Sequence, residues 1–422
     1  MLINFKVKNF RSIKDEVILD MQATKDKTSK EQAVFEVGKI ALLKSTAIYG
    51  PNASGKSNII KAFTVFHNMI LESMLRSNMN IDLPNEYFKL NSETENKPSF
   101  FEIKFLIDDK VFLYGFEIDK KKVCAEWLKQ EKGNKILFER TEQEIKFNKY
   151  FKEATATLKK QTAERVLFLS ILAANNGEIS KSVVKLIQKM NVISGTQRGN
   201  TLDFSFSQFL GNSKVSERMK EFILKADFGV VDIKASQKMI SAKQVQNIPD
   251  KFKEVLFKED SKIAERSLKF LHKKYNTNGK EVGNEPLDFF AEESDGTQQM
   301  FALSAPFIDT LENGKVLFID EIDASLHPLL CQYLISLFNS KEKNIKNAQL
   351  IFTTHDISLL KEELLRRDQI YFTDKNKIGA TELFSLSDIS ERKGVDFAKR
   401  YLEGRYDALP YLSDFEDLRF YK

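Results

Sequence analysis

Gly50-Pro51-Asn52-Ala53-Ser54-Gly55-Lys56-Ser57 follows the largely apolar run Lys44-Ser45-Thr46-Ala47-Ile48-Tyr49 and precedes Asn58. The spacing is G-x-x-x-x-G-K-S, between a predicted strand and a predicted helix. The glycines let the backbone curl so that successive N–H groups point at phosphate oxygens. Lys56 has the reach for β- and γ-phosphates, and the Ser57 hydroxyl is a Mg²⁺ ligand by position. A helix running from Asn58 turns its positive end toward the same anion. A glycine-rich surface turn is the competing reading, and the strand–loop–helix context argues against it.

Composition limits what surrounds this loop. The chain has 422 residues, 42% of them hydrophobic, with 35 Phe. That is enough for a dense core in one large domain or two to three ordinary ones. Sixty-five basic residues against 60 acidic ones leave +5, too balanced to argue for nucleic acid. Cys124 and Cys331 are far apart without metal-ligand spacing, and are expected to be buried thiols in a reducing compartment. No apolar run approaches a membrane span, and Met1–Val7 reads as a strand rather than a leader. A cytoplasmic protein without membrane contact is expected.

Periodicity suggests strands at Leu2–Val7 and Val17–Met21, and Ile40–Tyr49 leading into the loop. Ile59, Ile60, Phe63, Phe66, Ile70 and Met74 fit a helix over Asn58–Arg76. Ser99–Leu106, Val111–Ile118 and Ala125–Gln130 read as a meander, with a hairpin at Asp108-Asp109-Lys110 and an extension at Ile136–Arg140. From about 150 the pattern turns helical and charged, with candidate helices at Ala163–Ala174, Ser180–Met190, Ser216–Ala226 and Asp260–Tyr275. The charge runs Asp119–Lys122 and Lys273-Lys274 read as solvated hairpin and helix ends. Residues 275–285 read as a polar loop, after which the α/β pattern returns.

A second cluster of motifs lies there. Lys315-Val316-Leu317-Phe318-Ile319-Asp320-Glu321 is an apolar run ending in two acids, as suits a central parallel strand with ligand groups at its carboxyl end. Phosphoryl transfer needs positioning and charge neutralisation, so Asp320 suits Mg²⁺ and Glu321 the attacking water. Upstream, Glu293-Ser294-Asp295-Gly296-Thr297-Gln298 heads the helical stretch Gln299–Leu311. Ser294 is a candidate N-cap, and Gly296 allows close backbone approach. Downstream come Asp323-Ala324-Ser325-Leu326-His327-Pro328, then the strand Gln349–Thr353 ending at Thr354-His355-Asp356. His355 stands where a γ-phosphate sensor would belong.

This order of motifs resembles the ABC-type ATPases, in particular the branch of SMC-like, RecF-like and OLD-like proteins, whose opening Lys8-Asn9-Phe10-Arg11-Ser12-Ile13-Lys14-Asp15 is also similar. Pro98–Phe105, Arg165–Ser170, Leu365–Phe372 and Tyr401–Tyr406 further resemble stand-alone AAA family ATPases of bacterial abortive-infection and phage-defence operons. The resemblance implies an α/β fold: an ABC-type P-loop ATPase head with a mixed core sheet, an antiparallel β meander and an inserted helical subdomain. The expected division is 1–150 for the N-terminal lobe, 151–285 for the helical insertion and 286–422 for the C-terminal lobe.

The resemblance also implies ATP and Mg²⁺ held by Gly50, Pro51, Asn52, Ala53, Ser54, Gly55, Lys56, Ser57 and Asn58, with Ser57 and Asp320 on the metal. Glu321 and His355 would be catalytic. Ser294 and Gly296 would reach the γ-phosphate on a second head, with Asp323 at the seam, so a homodimer or higher oligomer is implied. The clan's Q-loop glutamine has no counterpart assigned between Phe66 and Lys104. Glu-Ser-Asp-Gly-Thr-Gln departs from the transporter signature Leu-Ser-Gly-Gly-Gln and argues against a transporter. The stretch after His355 is too short for the Toprim domain of OLD-type nucleases, so a separately encoded toxin or nuclease effector is the expected partner. A RecF-like DNA-repair ATPase and a non-hydrolysing nucleotide-gated scaffold are the alternatives.

Overall fold

The computed structural model describes residues 1–26, 30–78, 81–195, 198–211, 213–226, 228–241, 262–391 and 394–409. The chain divides into two compact units. The first comprises Met1–Thr196, Thr310–Asp323 and Cys331–Lys422, and the second Gln197–Asp309 with Ala324–Leu330.

In the first unit the apolar runs make a six-stranded sheet in the order Met190–Ser194, Val316–Asp320, Gln349–Thr353, Ser45–Tyr49, Ile370–Lys375, Thr381–Ser385. Every pairing is parallel except the last. Gln349–Thr353 and Ser45–Tyr49 are buried throughout, as strands covered on both faces must be. Parallel pairing brings the carboxyl ends of three motif-bearing strands to one edge, where α/β sheets place their ligands.

A seven-stranded antiparallel sheet forms the other layer. Its order is Glu144–Phe147, Lys135–Thr141, Val123–Gln130, Lys110–Ile118, Ser99–Ile107, Leu2–Lys8, Val17–Asp20. The meander is as expected, and its hairpin turns at Asp108 (φ 46°) and Asp109 (φ 60°). Two positive-φ central residues define the tight turn that matches strand twist.

The helix Lys56–Leu71 packs into both layers. Phe63 stacks on Phe318 at 3.8 Å and meets Phe5 edge-on at 5.2 Å, while Phe66 stacks on Phe116 at 5.4 Å. The helix stops at Leu71 rather than Arg76, and Ser73–Asn78 tightens into a 3₁₀ turn. A buried charge pair ties the meander to the segment after it. Glu126 accepts from Phe168 N (2.7 Å), Leu169 N (2.9 Å) and Tyr114 Oη (3.0 Å). Arg140 donates to the carbonyls of Glu142, Val166 and Glu164. Burial pushes the Glu126 carboxyl up, against the pull of Arg140.

The expected helical insertion over 151–285 needs correction. Residues 151–195 fall in the first unit, with helices Phe168–Ala174 and Glu178–Gln188 followed by Met190–Ser194, a core-sheet strand. Met190 therefore opens a strand instead of closing a helix, and Ala163–Leu167 precede the helix read from Ala163. The second unit has helices Arg198–Gly211 and Ser213–Leu224 beside a three-stranded antiparallel sheet of Val230–Ser241, Lys262–Tyr275 and Glu281–Asp288. The stretch read as a helix over Asp260–Tyr275 is thus a strand from Lys262, the preceding two residues lying outside the description. Leu268 and Phe270 are buried on either side of exposed Lys269, the period-two pattern of a half-buried strand. The polar stretch 275–285 is a hairpin tip plus the start of Glu281–Asp288, and Lys273 pairs across it with Glu281 at 2.9 Å. Phe270, Phe289 and Phe301 form this unit's aromatic cluster, with centroids 5.0–5.8 Å apart.

Among the described residues no helix is long and apolar enough to cross a membrane. Cys331 is buried and Cys124 half-buried, and burial pushes both thiols up to about 12.

Candidate functional site

The loop from Gly50 to Gly55 links the strand end at Tyr49 to the helix starting at Lys56. Gly50 (φ 148°), Ala53 (φ 65°) and Gly55 (φ 114°) take backbone angles that side chains disfavour. Space demands the glycines as well. A Cβ on Gly50 would collide with Thr373, and one on Gly55 with Thr381. The loop is strung on hydroxyls. Ser54 Oγ and Thr373 Oγ1 are 2.6 Å apart, and Thr373 Oγ1 donates to Tyr49 O at 3.1 Å. Thr381 Oγ1 donates to Ser54 O at 2.7 Å and lies 2.7 Å from Ser12 Oγ, which accepts from Asn58 Nδ2 at 2.7 Å. A chain of such bonds holds the loop rigid before any ligand arrives.

Lys56 folds back over the loop and donates to Gly50 O (2.7 Å) and Pro51 O (3.1 Å). Burial lowers its pKa from the ordinary lysine value, while Glu321, Asp320 and Asp323 oppose that. The ammonium therefore faces three carboxylates without a salt bridge to any of them among the described contacts. Beside the loop, Arg11, Ser12, Asn58, Leu90 and Lys375 line a cavity of about 350 Å³.

Asp320 ends its strand with Oδ1 accepting from Thr353 Oγ1 at 2.7 Å, and the same hydroxyl accepts from Glu321 N at 2.7 Å. Thr353 thus fixes the angle between the two acids. Glu321 has φ 58°, a strained value for a glutamate, and strain of this kind concentrates at functional sites. It lies against Gly195, whose N donates to Asp320 O at 2.6 Å and whose missing Cβ would strike Glu321 O. Asp323 Oδ2 accepts from His355 N at 3.2 Å, and its Oδ1 is buried without a partner. Burial, aided by the Lys56 charge, pushes His355 below the usual histidine range, against the pull of Asp323, Glu321 and Asp320.

Gly50–Ser57, Asp320, Glu321, Asp323 and His355 all belong to the first unit. Ser294 and Gly296 belong to the second. Ser294 is the expected N-cap, its Oγ accepting from Thr297 N at 3.2 Å at the head of the helix Asp295–Asn313. A Cβ on Gly296 would stand 3.0 Å from Ser325 O, so the close approach expected there is present. Glu293, just before the signature, is held by His272 Nε2 at 2.6 Å.

Residues 45–361 match the family described as "AAA domain, putative AbiEii toxin, Type IV TA system". The chain belongs to this family. No curated protein matches the sequence. Among solved structures this AAA family member is similar to the "SMC head domain from Thermotoga maritima", at 14% identity over 91% of this chain and 98% of that one, with TM-score 0.41. An SMC head bound to the C-terminal winged-helix domain of ScpA is 15% identical over 91% and 97%, with TM-score 0.43. The recombination mediator RecF with ATP is 14% identical over 91% and 99%, with TM-score 0.39. The fold of this family member is α/β, with a mostly parallel six-stranded core sheet and an antiparallel meander.

Sequence reasoning missed Ser12, Gly195, Thr353, Thr373 and Thr381 as parts of this site. Ser12 stands inside the Lys8–Asp15 stretch already singled out, and Thr353 immediately precedes the motif Thr354-His355. Gly195, Thr373 and Thr381 carry no local signal, because each acts by touching a backbone far away in sequence.

Proposed function

We propose that this chain is an ATP-hydrolysing head that closes with a second copy around two Mg-ATP and controls a separately encoded toxin or nuclease in anti-phage defence. The observation that carries the ATPase part is the convergence of Lys56, Asp320, Glu321, Asp323 and His355 beside a prestrained glycine loop. The family description supports the defence context.

The residues fit a magnesium nucleotide. Gly50 and Gly55 leave a cradle that a Cβ would fill, and Lys56 has only loop carbonyls to release. Ser57 and Asp320 would hold the ion, whose chemistry is to neutralise charge on the phosphate oxygens. Backbone N–H groups of the loop between Asn52 and Ser57 would bind the phosphates. Lys56 exchanges the Gly50 and Pro51 carbonyls for phosphate oxygens, a stronger charge-assisted contact. Glu321 orients water and takes its proton, its direction set by Thr353 and Gly195. His355 would donate to the γ-phosphate while Asp323 holds its backbone. Ser294 and Gly296 of the second copy complete the site by resemblance to the clan.

The strand Met190–Ser194 pairs with Val316–Asp320, Ser194 opposite Asp320.

Purified Glu321→Gln protein tests the whole reading. It should bind ATP, form a dimer by light scattering only when ATP is present, and turn over very slowly. ATP turnover by a strictly monomeric protein, independent of concentration, would refute the shared site. DNA affinity that falls steeply with salt would favour the repair reading.

A further inference from the structure

The signature turn of this chain carries a carboxylate between its two ligand positions. Asp295 stands between Ser294 and Gly296, and its side chain is 72% exposed. A negative group there faces the triphosphate that Ser294 and Gly296 would approach, and like charges at that range repel. The second unit contains a compensating group. Arg198 Nη2 donates to Asp295 Oδ1 at 2.6 Å, and Arg198 Nη1 donates to Asp295 O at 3.1 Å. One guanidinium fork therefore holds both the carboxylate and the main chain of the same residue. Arg is suited to such two-point capture because its donors are planar and fixed in direction. The other side of the turn is backed by Ser325 O, 3.0 Å from where a Gly296 Cβ would be. The turn is thus held from both sides, with the Asp295 carboxylate paired to Arg198.

We propose that Arg198 is a positioning residue for the nucleotide, neutralising Asp295 and fixing the turn so that Ser294 and Gly296 can engage an anionic γ-phosphate. The proposal rests on the reading of Ser294 and Gly296 as the phosphate contact between copies. Arg198 acts through Asp295 and needs no contact with ATP. The pair should therefore behave as a unit whose charge balance, rather than either residue alone, sets nucleotide affinity.

A double-mutant cycle tests this, with KM for ATP, kcat and the ATP concentration for half-maximal dimerisation measured at low and high salt. Arg198→Ala leaves the carboxylate bare and should raise KM about tenfold at low salt, with a smaller change in kcat. Asp295→Asn added to Arg198→Ala should bring KM back to within about threefold of the parent protein, because the repelling charge is gone. A merely structural contact would not show that recovery, since the fork is missing from the double variant too. An Arg198→Ala protein with the parental KM, or a double variant as weak as the single one, overturns the proposal. Ser294→Arg is run in parallel. If Ser294→Arg abolishes turnover while Arg198→Ala changes nothing, this inference alone falls. If Ser294→Arg has no effect either, the shared-site reading falls and takes the inference with it. Thermal melts of all variants check folding, and Arg198→Lys serves should Arg198→Ala melt early.

Discussion

The six-stranded sheet of the first unit and the three-stranded sheet of the second reach the strand state by different routes. Ser45–Tyr49 and Gln349–Thr353 are buried on both faces, so every residue must be apolar or internally paired. Such segments announce themselves. Lys262–Tyr275 is rich in Lys, Arg and Glu, which favour helices in isolation. It is extended because Val230–Ser241 and Glu281–Asp288 flank it along its length. Where burial alone dictates the element the sequence suffices, and where a distant partner dictates it local propensity misleads.

The comparison can be broken or sharpened by experiment. The largest effect is expected at Glu321, where Glu→Gln removes a general base and should slow turnover on the order of 100- to 10,000-fold while ATP still binds. Nucleotide binding and single-turnover hydrolysis measured on one preparation separate the two.

Core aromatics come next. Phe63→Ala and Phe270→Ala should each cost about 3–5 kcal/mol of stability in the unit that holds them. Hydrogen exchange followed by peptide should localise the loss. The Phe63 change should also weaken ATP binding, since Phe63 lies on the helix that leaves the phosphate loop. Equal loss of binding from both variants would mean that the units do not fold as separate cooperative parts.

Lys56→Ala removes a charged phosphate contact and should weaken ATP binding about 100-fold, as read by calorimetry. Gly195→Ala tests a contact invisible in the motif. A methyl there displaces Glu321, and a misplacement of about 1 Å costs roughly 100-fold in kcat with binding largely kept. Parental kcat in that variant would separate the Glu321 strain from its role. The smallest effect is expected for Thr381→Val, which drops the bond to Ser54 O. A loss of about 1 kcal/mol, roughly fivefold in ATP affinity, should result.

Most of the candidate site was legible because a glycine loop and acids at strand ends show themselves by residue type and spacing within short windows. Gly50–Ser57, Asp320-Glu321 and His355 each sit at a strand end that local apolarity marks. The insertion was less legible. Its helices and ribbons alternate charged and apolar residues in ways that suit either state until partners are known. The strand Met190–Ser194 was missed for a related reason. The meander and three helices intervene between Lys56–Leu71 and Met190–Ser194, so the strand beside Asp320 is remote in sequence.

The amino-acid order by itself determined the glycine loop at Gly50–Gly55, the acidic strand end, the N-cap at Ser294 and the hairpin at Asp108-Asp109, because each depends on neighbours within a few residues. Only the tertiary structure decided that Gln349–Thr353 lies between the strands bearing Gly50 and Asp320, that Gly195 sits beneath Glu321, and that Thr373 and Thr381 brace the loop. The contacts of Gly195, Thr373 and Thr381 join residues more than 100 apart, the Thr381 to Ser54 bond spanning 327 positions. No local propensity encodes a contact of that range, and it forms only when the two sheets close on the helix Lys56–Leu71.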